Sequence, residues 1–403
     1  MYRSGSVKCI WEIPVKQRDM MLRLLLLTLF SSLLLGAAGC QQAIAWLGAN
    51  VYQADTQADD SGTADQFVRN GLNARPRIRV GYLPCPKLST AFLGRQDMGR
   101  HGYRPNLSEK NGLAYTCRAG HIDISHVRKA ADWTAFLAAK TYRQIMQNEI
   151  EYSFKMYEPS LYFVRLTYPE NWKDMSTEQK EYIAYDVSIN LGRYLAFSGL
   201  TWHEIITWFG FKSKGLEPEH PSAFTWEDTF SNLFGTHVAV LALQDAKHTF
   251  NEAMTLALDT ELQKLNVQPG HVSRRAAESV RGSWFTRNFF STVMKKRNFD
   301  LGLDDGFITP SLIPSVSECQ GAEAQPYPVP DLEFISEYGF SVRFEIEPKI
   351  WEGNAILNVA YPDGRRGKKR IEPVIHLTPI MDYIKKDAKK RYGPDVDLSN
   401  QAG

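Results

Sequence analysis

The sequence predicts an α+β fold that is mainly α, a helical body followed by a small antiparallel β-rich part. Three observations carry that prediction. Between residues 176 and 265 several helix starts announce themselves, and apolar residues recur at helical spacing. Past Gly339 the pattern changes to alternation. The 403-residue chain is 43% apolar and 12% aromatic, which supports a packed core and argues against disorder. Its net charge of +2 gives no electrostatic reason to expect nucleic acid as a partner.

At the start, Arg23 precedes an apolar run from Leu24 to Leu35 that closes on Gly36-Ala37-Ala38-Gly39-Cys40. A basic n-region, a short h-region and small residues before the cut read as a secretory signal. The run is shorter than the ~20 residues of a spanning helix. A cysteine directly after the small residues resembles the bacterial lipobox, in which the thiol is acylated and becomes the new N-terminus. Residues 1–39 are then a signal peptide, and residues 1–19 read as a mis-called start, because Met20 or Met21 gives a more ordinary n-region. Gln41, not Asp, follows Cys40, which resembles the outer-membrane sorting signal. The expected location is the periplasmic side of the outer membrane, anchored by lipid on Cys40. Residues 40–73, small, polar and aperiodic, read as a lipidated flexible tether.

A mainly helical domain is expected over 74–312. Arg77–Tyr82 alternates and predicts a strand, ended by Leu83-Pro84-Cys85-Pro86, with a long structured loop from Lys87 to Ala119. Ser176-Thr177-Glu178-Gln179 is a capping box for a helix to about Phe197, with Ile183, Val187, Leu191 and Leu195 every four residues. Thr201-Trp202-His203-Glu204 reads as another, opening a short helix that Gly210 ends. Thr225-Trp226-Glu227-Asp228 leads into a helix with Phe230, Phe234, His237, Val238 and Leu241 inward, and a further helix spans Thr249 to Leu265. The remainder, 313–403, comprises a connector, a small β-rich part and a closing helix. Strands are expected over Gly339–Glu347, Asn354–Tyr361 and after the basic run Arg365–Arg370 as far as Leu377. Thr378 would cap the last helix, with Pro379 in its first turn. Beyond Cys40, the cysteines Cys85, Cys117 and Cys319 allow one disulfide and one thiol over, with the pairing open.

Chemistry concentrates in Cys117–Arg128, which holds a thiol, two imidazoles, a carboxylate and two guanidinium groups. On a helix, Asp123 and His126 share a face and would hold a metal together or form a base and its orienter. On a strand, His121 pairs with Asp123 instead. The structural alternative makes Asp123 a helix cap with His126 in the first turn. Glu204, Glu227 and Asp228 are the carboxylates able to complete such a site from facing helices, though capping explains them too. Cys117, beside Arg118 and His121, has the setting of a low-pKa thiol, against which stands a disulfide or a buried thiol. The basic run Arg365–Arg370 suits anionic headgroups or a solvated turn. The aromatics from Tyr152 to Tyr168 suit a glycan or lipid groove, or a core.

Three stretches resemble an uncharacterised family of bacterial lipoproteins, domain of unknown function 4056: Tyr115–Trp133 with Cys117, Gly120, Asp123, His126, Arg128 and Asp132; Glu204–Gly210; and Ser222–Gly235 with Trp226, Glu227, Asp228, Ser231 and Asn232. Ile346-Glu347-Pro348 and Ile371-Glu372-Pro373 are similar as well. The resemblance implies an address and a fold, and that the three polar stretches meet in space. The expected function is hydrolysis of an envelope component, metal-assisted or acid–base. His126, Asp123, Arg128 and His121 would be the catalytic groups, with Glu204, Glu227, Asp228 and Asp132 supporting them. A divalent metal would sit on Asp123, His126 and Glu227, and Arg128 would clamp an anion. The alternative is a non-catalytic envelope protein that binds glycan, lipid or a protein partner, with the polar cluster as a structural network.

Overall fold

Order begins before the expected end of the tether. The computed structural model describes residues 66–87, 89–211, 222–287 and 292–399, so the signal-like segment, Cys40 and the tether as far as residue 65 lie outside the described part. Helix α1 (Gln66–Arg69) already contributes Phe67, and Leu72 follows it; both are fully buried. Two apolar side chains in a polar stretch are enough to anchor it.

The segment 75–82 is extended but joins no sheet. The predicted strand fails because α-helical side chains take its polar groups. Val80 O accepts from Ser125 Oγ at 2.7 Å, and the Tyr82 N–H donates to Asp123 Oδ2 at 2.6 Å. Arg79 reaches Asp132 at 2.9 Å, and Arg75 lies over the Trp133 ring. The segment is therefore a strap that runs antiparallel to the helix beneath it.

The expected loop from Lys87 to Ala119 contains short strands β1 (Phe92–Leu93) and β2 (Leu113–Thr116), the latter hairpinned with β3 (Gly120–Asp123). Gly120 sits in the turn at φ +63, and a Cβ there would lie 2.2 Å from Ser311 O, so only glycine fits. Asp123 ends β3 and caps α2 (Ile124–Met146), its Oδ1 accepting from the Ser125 N–H at 2.7 Å. Helix α2 is buried along most of its length. Strands β4 (Glu151–Phe154) and β5 (Leu161–Thr167) follow.

Helix α3 (Thr177–Trp208) starts at the Ser176/Gln179 capping box as predicted, then runs without a break through Thr201. The second box does not form, because Thr201 and Glu204 are buried inside the continuing helix. Gly210, at φ +105, lies just past its end. Helix α4 (Asp228–Gln244) buries Phe230, Phe234 and Val238 as expected, while Leu241 is exposed. Helix α5 (Phe250–Lys264) has a Thr249/Glu252 capping box, and α6 (Gly270–Ser279) comes next. Helices α3 and α4 both close on α2 through glycine. A Cβ on Gly192 would lie 2.6 Å from the Ala138 nitrogen, and one on Gly235 2.3 Å from Val127 O. The alanines Ala130, Ala131, Ala135, Ala138 and Ala139 of α2 permit that close approach.

Beyond α6, the chain forms hairpin β6 (Phe285–Arg287) with β7 (Thr292–Met294), then hairpin β8 (Phe307–Ile308) with β9 (Tyr327–Pro328), before the short helix α7 (Glu333–Glu337). The C-terminal part differs from its prediction. Strand β10 (Ser341–Glu347) pairs in full with β5, giving a sheet of order β10-β5-β4. Asn354–Tyr361 is not a strand but helix α8 (Gly353–Ala360); Ile356, Leu357 and Ala360 point inward at helical spacing. The third strand reduces to a single bridge between Ile346 and Ile371. Pro373, with its fixed φ and no N–H to lose, starts α9 (Pro373–Tyr392) well before Thr378, and Pro379 lies inside it. Tyr152, Phe154 and Tyr162 of the aromatic stretch are core, with Phe154 stacked on Tyr162 at 4.8 Å. The described residues form one compact unit.

Cys117, in the β2–β3 turn, is bonded to Cys319, with Cα atoms 4.9 Å apart, while Cys85 is buried and free. The reactive-thiol reading of Cys117 is thereby corrected. The bridge spans 202 residues, so its loss should cost about 2–5 kcal/mol. Reduction, or Cys319→Ser, is expected to lower Tm by several degrees in a thermal melt; an unchanged Tm would mean that the bridge carries no stability.

Candidate functional site

Asp123 is fixed before it does anything chemical. Its main-chain N–H donates to Ser231 Oγ of α4 at 3.0 Å, and both its carboxylate oxygens accept main-chain N–H groups, from Ser125 and Tyr82. His126 lies one turn on, in the first turn of α2. Its Nδ1 is 3.4 Å from Asp123 Oδ2 and 3.1 Å from Asp228 Oδ1, ion-pair contacts that fall short of hydrogen-bond angles. Asp228 is itself held, with Oδ2 accepting the Thr225 N–H at 2.9 Å. Thr225 Oγ1 donates to Glu227 Oε1 at 2.8 Å. From the last turns of α3, Glu204 Oε2 accepts the Phe224 N–H at 3.1 Å. Phe224 is fully buried at φ +54, a left-handed conformation that costs a bulky residue on the order of 1 kcal/mol and is maintained by that contact. The start of α2, the end of α3 and the start of α4 therefore meet, and the three polar stretches come together as the sequence predicted.

Burial and the Lys129 charge push the His126 pKa down, but Asp123 and Asp228 outweigh them and leave it above the ordinary histidine value. Burial also raises Asp123, against the pull of His126 and two N–H donors. Glu204 is pushed up to about 7, first by burial and then by Asp228. Burial and Asp228 carry Glu227 well above its usual range. His203, one residue before Glu204, is driven down to about 3 by burial, with Lys129 and His126 adding to it. The cluster thus holds one imidazole whose charged form is favoured, one whose neutral form is favoured, and carboxyls that retain protons to unusually high pH.

Other predicted residues lie elsewhere. His121 is buried with Nε2 2.9 Å from Ser273 O and its ring against Tyr115, so it supports packing. Arg128 does not clamp an anion in this structure. Its guanidinium donates to Lys110 O at 2.8 Å and Met98 O at 2.9 Å, beside Glu109. Asp132 receives Arg79 and lies 3.0 Å from His101 Nε2. These residues form a second polar system that fastens the loop 98–111 and the strap to α2. Among the described residues no group of three or more His, Cys, Asp or Glu is arranged to hold a metal ion, Asp123, His126 and Glu227 included. Sequence reasoning passed over Lys129 and Glu158. Lys129 is buried and lies one turn beyond His126; Glu158 is buried and bonded by the Tyr162 hydroxyl. The signal available was spacing, since positions 126 and 129 share a helix face.

Two outcomes follow. A Cβ on Gly81 would lie 2.3 Å from His126 Nε2 and 3.0 Å from Asp123 Oδ2. Gly81→Ala should therefore displace the imidazole and cost about 1–3 kcal/mol, visible as a lower Tm and a shifted His126 ring resonance. A variant with both unchanged would show that the strap does not hold His126. For Glu204, the folded pKa near 7 exceeds its ordinary 4.5, so the native state holds the extra proton between them. Stability from this group is complete at low pH and is lost as pH rises toward and through 7. Glu204→Gln keeps the acceptor for Phe224 but removes the titration. Wild type should lose more Tm than the variant between pH ~5 and ~8, and parallel curves would refute the assignment.

A model for a family described as a protein of unknown function (DUF4056) matches residues 96–305. The match takes in Asp123, His126, Glu204, Glu227 and Asp228, together with Lys129 and Glu158, and leaves out the strap and Cys319. No curated protein and no solved structure matches the chain. Over half of its length lies within the matched region, and by that measure the chain belongs to the DUF4056 family.

Proposed function

We propose that this chain is a lipoprotein anchored through Cys40 on the periplasmic side of the outer membrane, and that it hydrolyses an envelope component by acid–base chemistry at the His126 cluster. The observation that carries the chemistry is the His126 imidazole, whose Nδ1 faces two carboxylates at the meeting point of three helix ends, with 12% of its side chain still accessible. An imidazole so placed favours its protonated form and serves as the acid. Glu204, titrating near 7, serves as the base. In the step, Glu204 accepts a proton from the attacking water, the water oxygen bonds to the carbonyl carbon or phosphorus, the bond from that atom to the leaving group breaks, and His126 gives its proton to the leaving group. The two groups then exchange that proton and the site is reset. Asp123 and Asp228 orient His126 and stabilise its charge.

The address is supported by the sequence of the first forty residues and by the Cys117–Cys319 bridge, which belongs to an oxidising compartment. No helix among the described residues is long and apolar enough to cross a membrane. A second reading, a non-catalytic protein that binds glycan, lipid or a protein partner, is favoured by Arg128, whose donors serve main-chain carbonyls and leave it no part in a reaction.

The test uses the full chain with purified peptidoglycan, phospholipid and lipopolysaccharide in turn, and follows product release. His126→Gln should lower the rate by about a hundredfold or more, and Asp228→Asn by less. The profile should be bell-shaped, with the rising limb near pH 7 from Glu204. No product from any of the three, or a folded His126→Gln variant of undiminished rate, would transfer support to the binding reading.

A further inference from the structure

Lys129 is 6% exposed, and its side chain makes no hydrogen bond or ion pair with any described residue. A lysine packed this deep normally has a carboxylate hydrogen-bonded to its ammonium. Arg79 and Arg128, on or against the same helix, are both supplied with a carboxylate. Lys129 is not, although carboxyls stand nearby. Glu158, from the turn between β4 and β5, is buried and taken up by the Tyr162 hydroxyl. His203, on α3, faces the same space with 27% of its side chain accessible and its Nδ1 3.9 Å from Glu158. The Lys129 charge bears on His126, Glu158, His203 and Glu204, which surround it from α2, the β4–β5 turn and α3.

We propose that Lys129 is the anion-recognition residue of the His126 site, and that the substrate carries a carboxylate or phosphate group that pairs with its ammonium within one helical turn of His126. This rests on the acid–base reading of His126 and adds to it the class of substrate. The i,i+3 spacing puts Lys129 and His126 on one face of α2, so an anion held by the first presents its neighbouring bonds to the second. Neutral at ordinary pH, His203 offers a hydrogen bond to the same ligand without competing for its charge. The lysine lies inside the family match, whereas the strap that covers part of the cluster lies outside it.

The experiment is thermal unfolding of the full chain with increasing inorganic phosphate or acetate against chloride at equal ionic strength, for wild type, Lys129→Met and Lys129→Arg. Wild type should gain Tm with at least one of the two anions. Lys129→Met should lose that gain, with apparent affinity weaker by roughly tenfold or more, and Lys129→Arg should keep most of it. Without anion, Lys129→Met should melt higher than wild type, because an unpaired buried charge has been removed; a merely structural lysine would give the opposite sign. An anion response that survives in Lys129→Met, or is missing from wild type, overturns the assignment. His126→Gln separates the two ideas. Anion binding that persists in this variant while no envelope substrate is ever cleaved would sink the acid–base reading alone. Cleavage with a KM that Lys129→Met leaves unchanged would sink the anion assignment alone.

Discussion

The rest of the structure depends on how closely α3 and α4 approach α2. Gly192 meets Ala138, and Gly235 meets Val127 and Ala130, at distances that no Cβ tolerates. Helix separation is set by the side chains at the contact, so glycine against alanine brings the backbones near the lower limit. From that fixed spacing, short side chains suffice to connect the three helices. Asp228 reaches His126, and Ser231 reaches the main chain of Asp123, without long flexible arms. A bulkier contact at either glycine would move whole helix ends, and with them every distance in the cluster.

Helix α2 carries two polar systems that differ in kind. On one side Arg128 and Asp132 join Arg79, Glu109 and His101 in a buried set whose members mostly have partners. Arg79 and Arg128 hold Glu109 down at about 2, opposing the burial that would raise it, so it remains a carboxylate. On the other side, His126 and Lys129 stand among groups that are incompletely matched in charge and partly open. Buried networks in which each cation faces a carboxylate fix a shape, while a cation without one leaves something for a ligand to supply. The difference between the two faces is the main physical reason that the proposed chemistry is placed on the His126 face.

Much of this was legible in the sequence, for identifiable reasons. The Ser176 capping box, the Phe230/Phe234/Val238 stripe and the N-cap position of Asp123 are local signals, and each appears as expected. The convergence of Asp123, His126, Glu204, Glu227 and Asp228 was also anticipated. What misled were local signals overridden by long-range contacts. Thr201–Glu204 has the letters of a helix start, but burial keeps it in the middle of α3. Asn354–Tyr361 has a strand-like composition, yet the outer edge of β10 takes only the Ile346–Ile371 bridge, and the segment buries Ile356, Leu357 and Ala360 at helical spacing instead. Arg128 could not be judged from its neighbours, because its partners are carbonyls in a loop about 20 to 30 residues upstream. Lys129 was hidden by standing next to it.

The bridge between Cys117 and Cys319 has a consequence for how the molecule is made. A chain delivered from its N-terminal end presents Cys85 and Cys117 together long before Cys319 arrives, and the shorter loop closes at lower entropic cost. The wrong pair is therefore the first available. What distinguishes the cysteines in the finished protein is that Cys85 is fully buried and free, in one hydrophobic cluster with Trp226 and Phe285. Correct oxidation thus requires either that Cys85 be hidden before oxidant reaches Cys117, or that an early mispairing be exchanged later. In both cases the hydrophobic cluster around Cys85 acts as an editor of covalent structure, and variants that loosen it should yield misbridged protein before they yield unfolded protein.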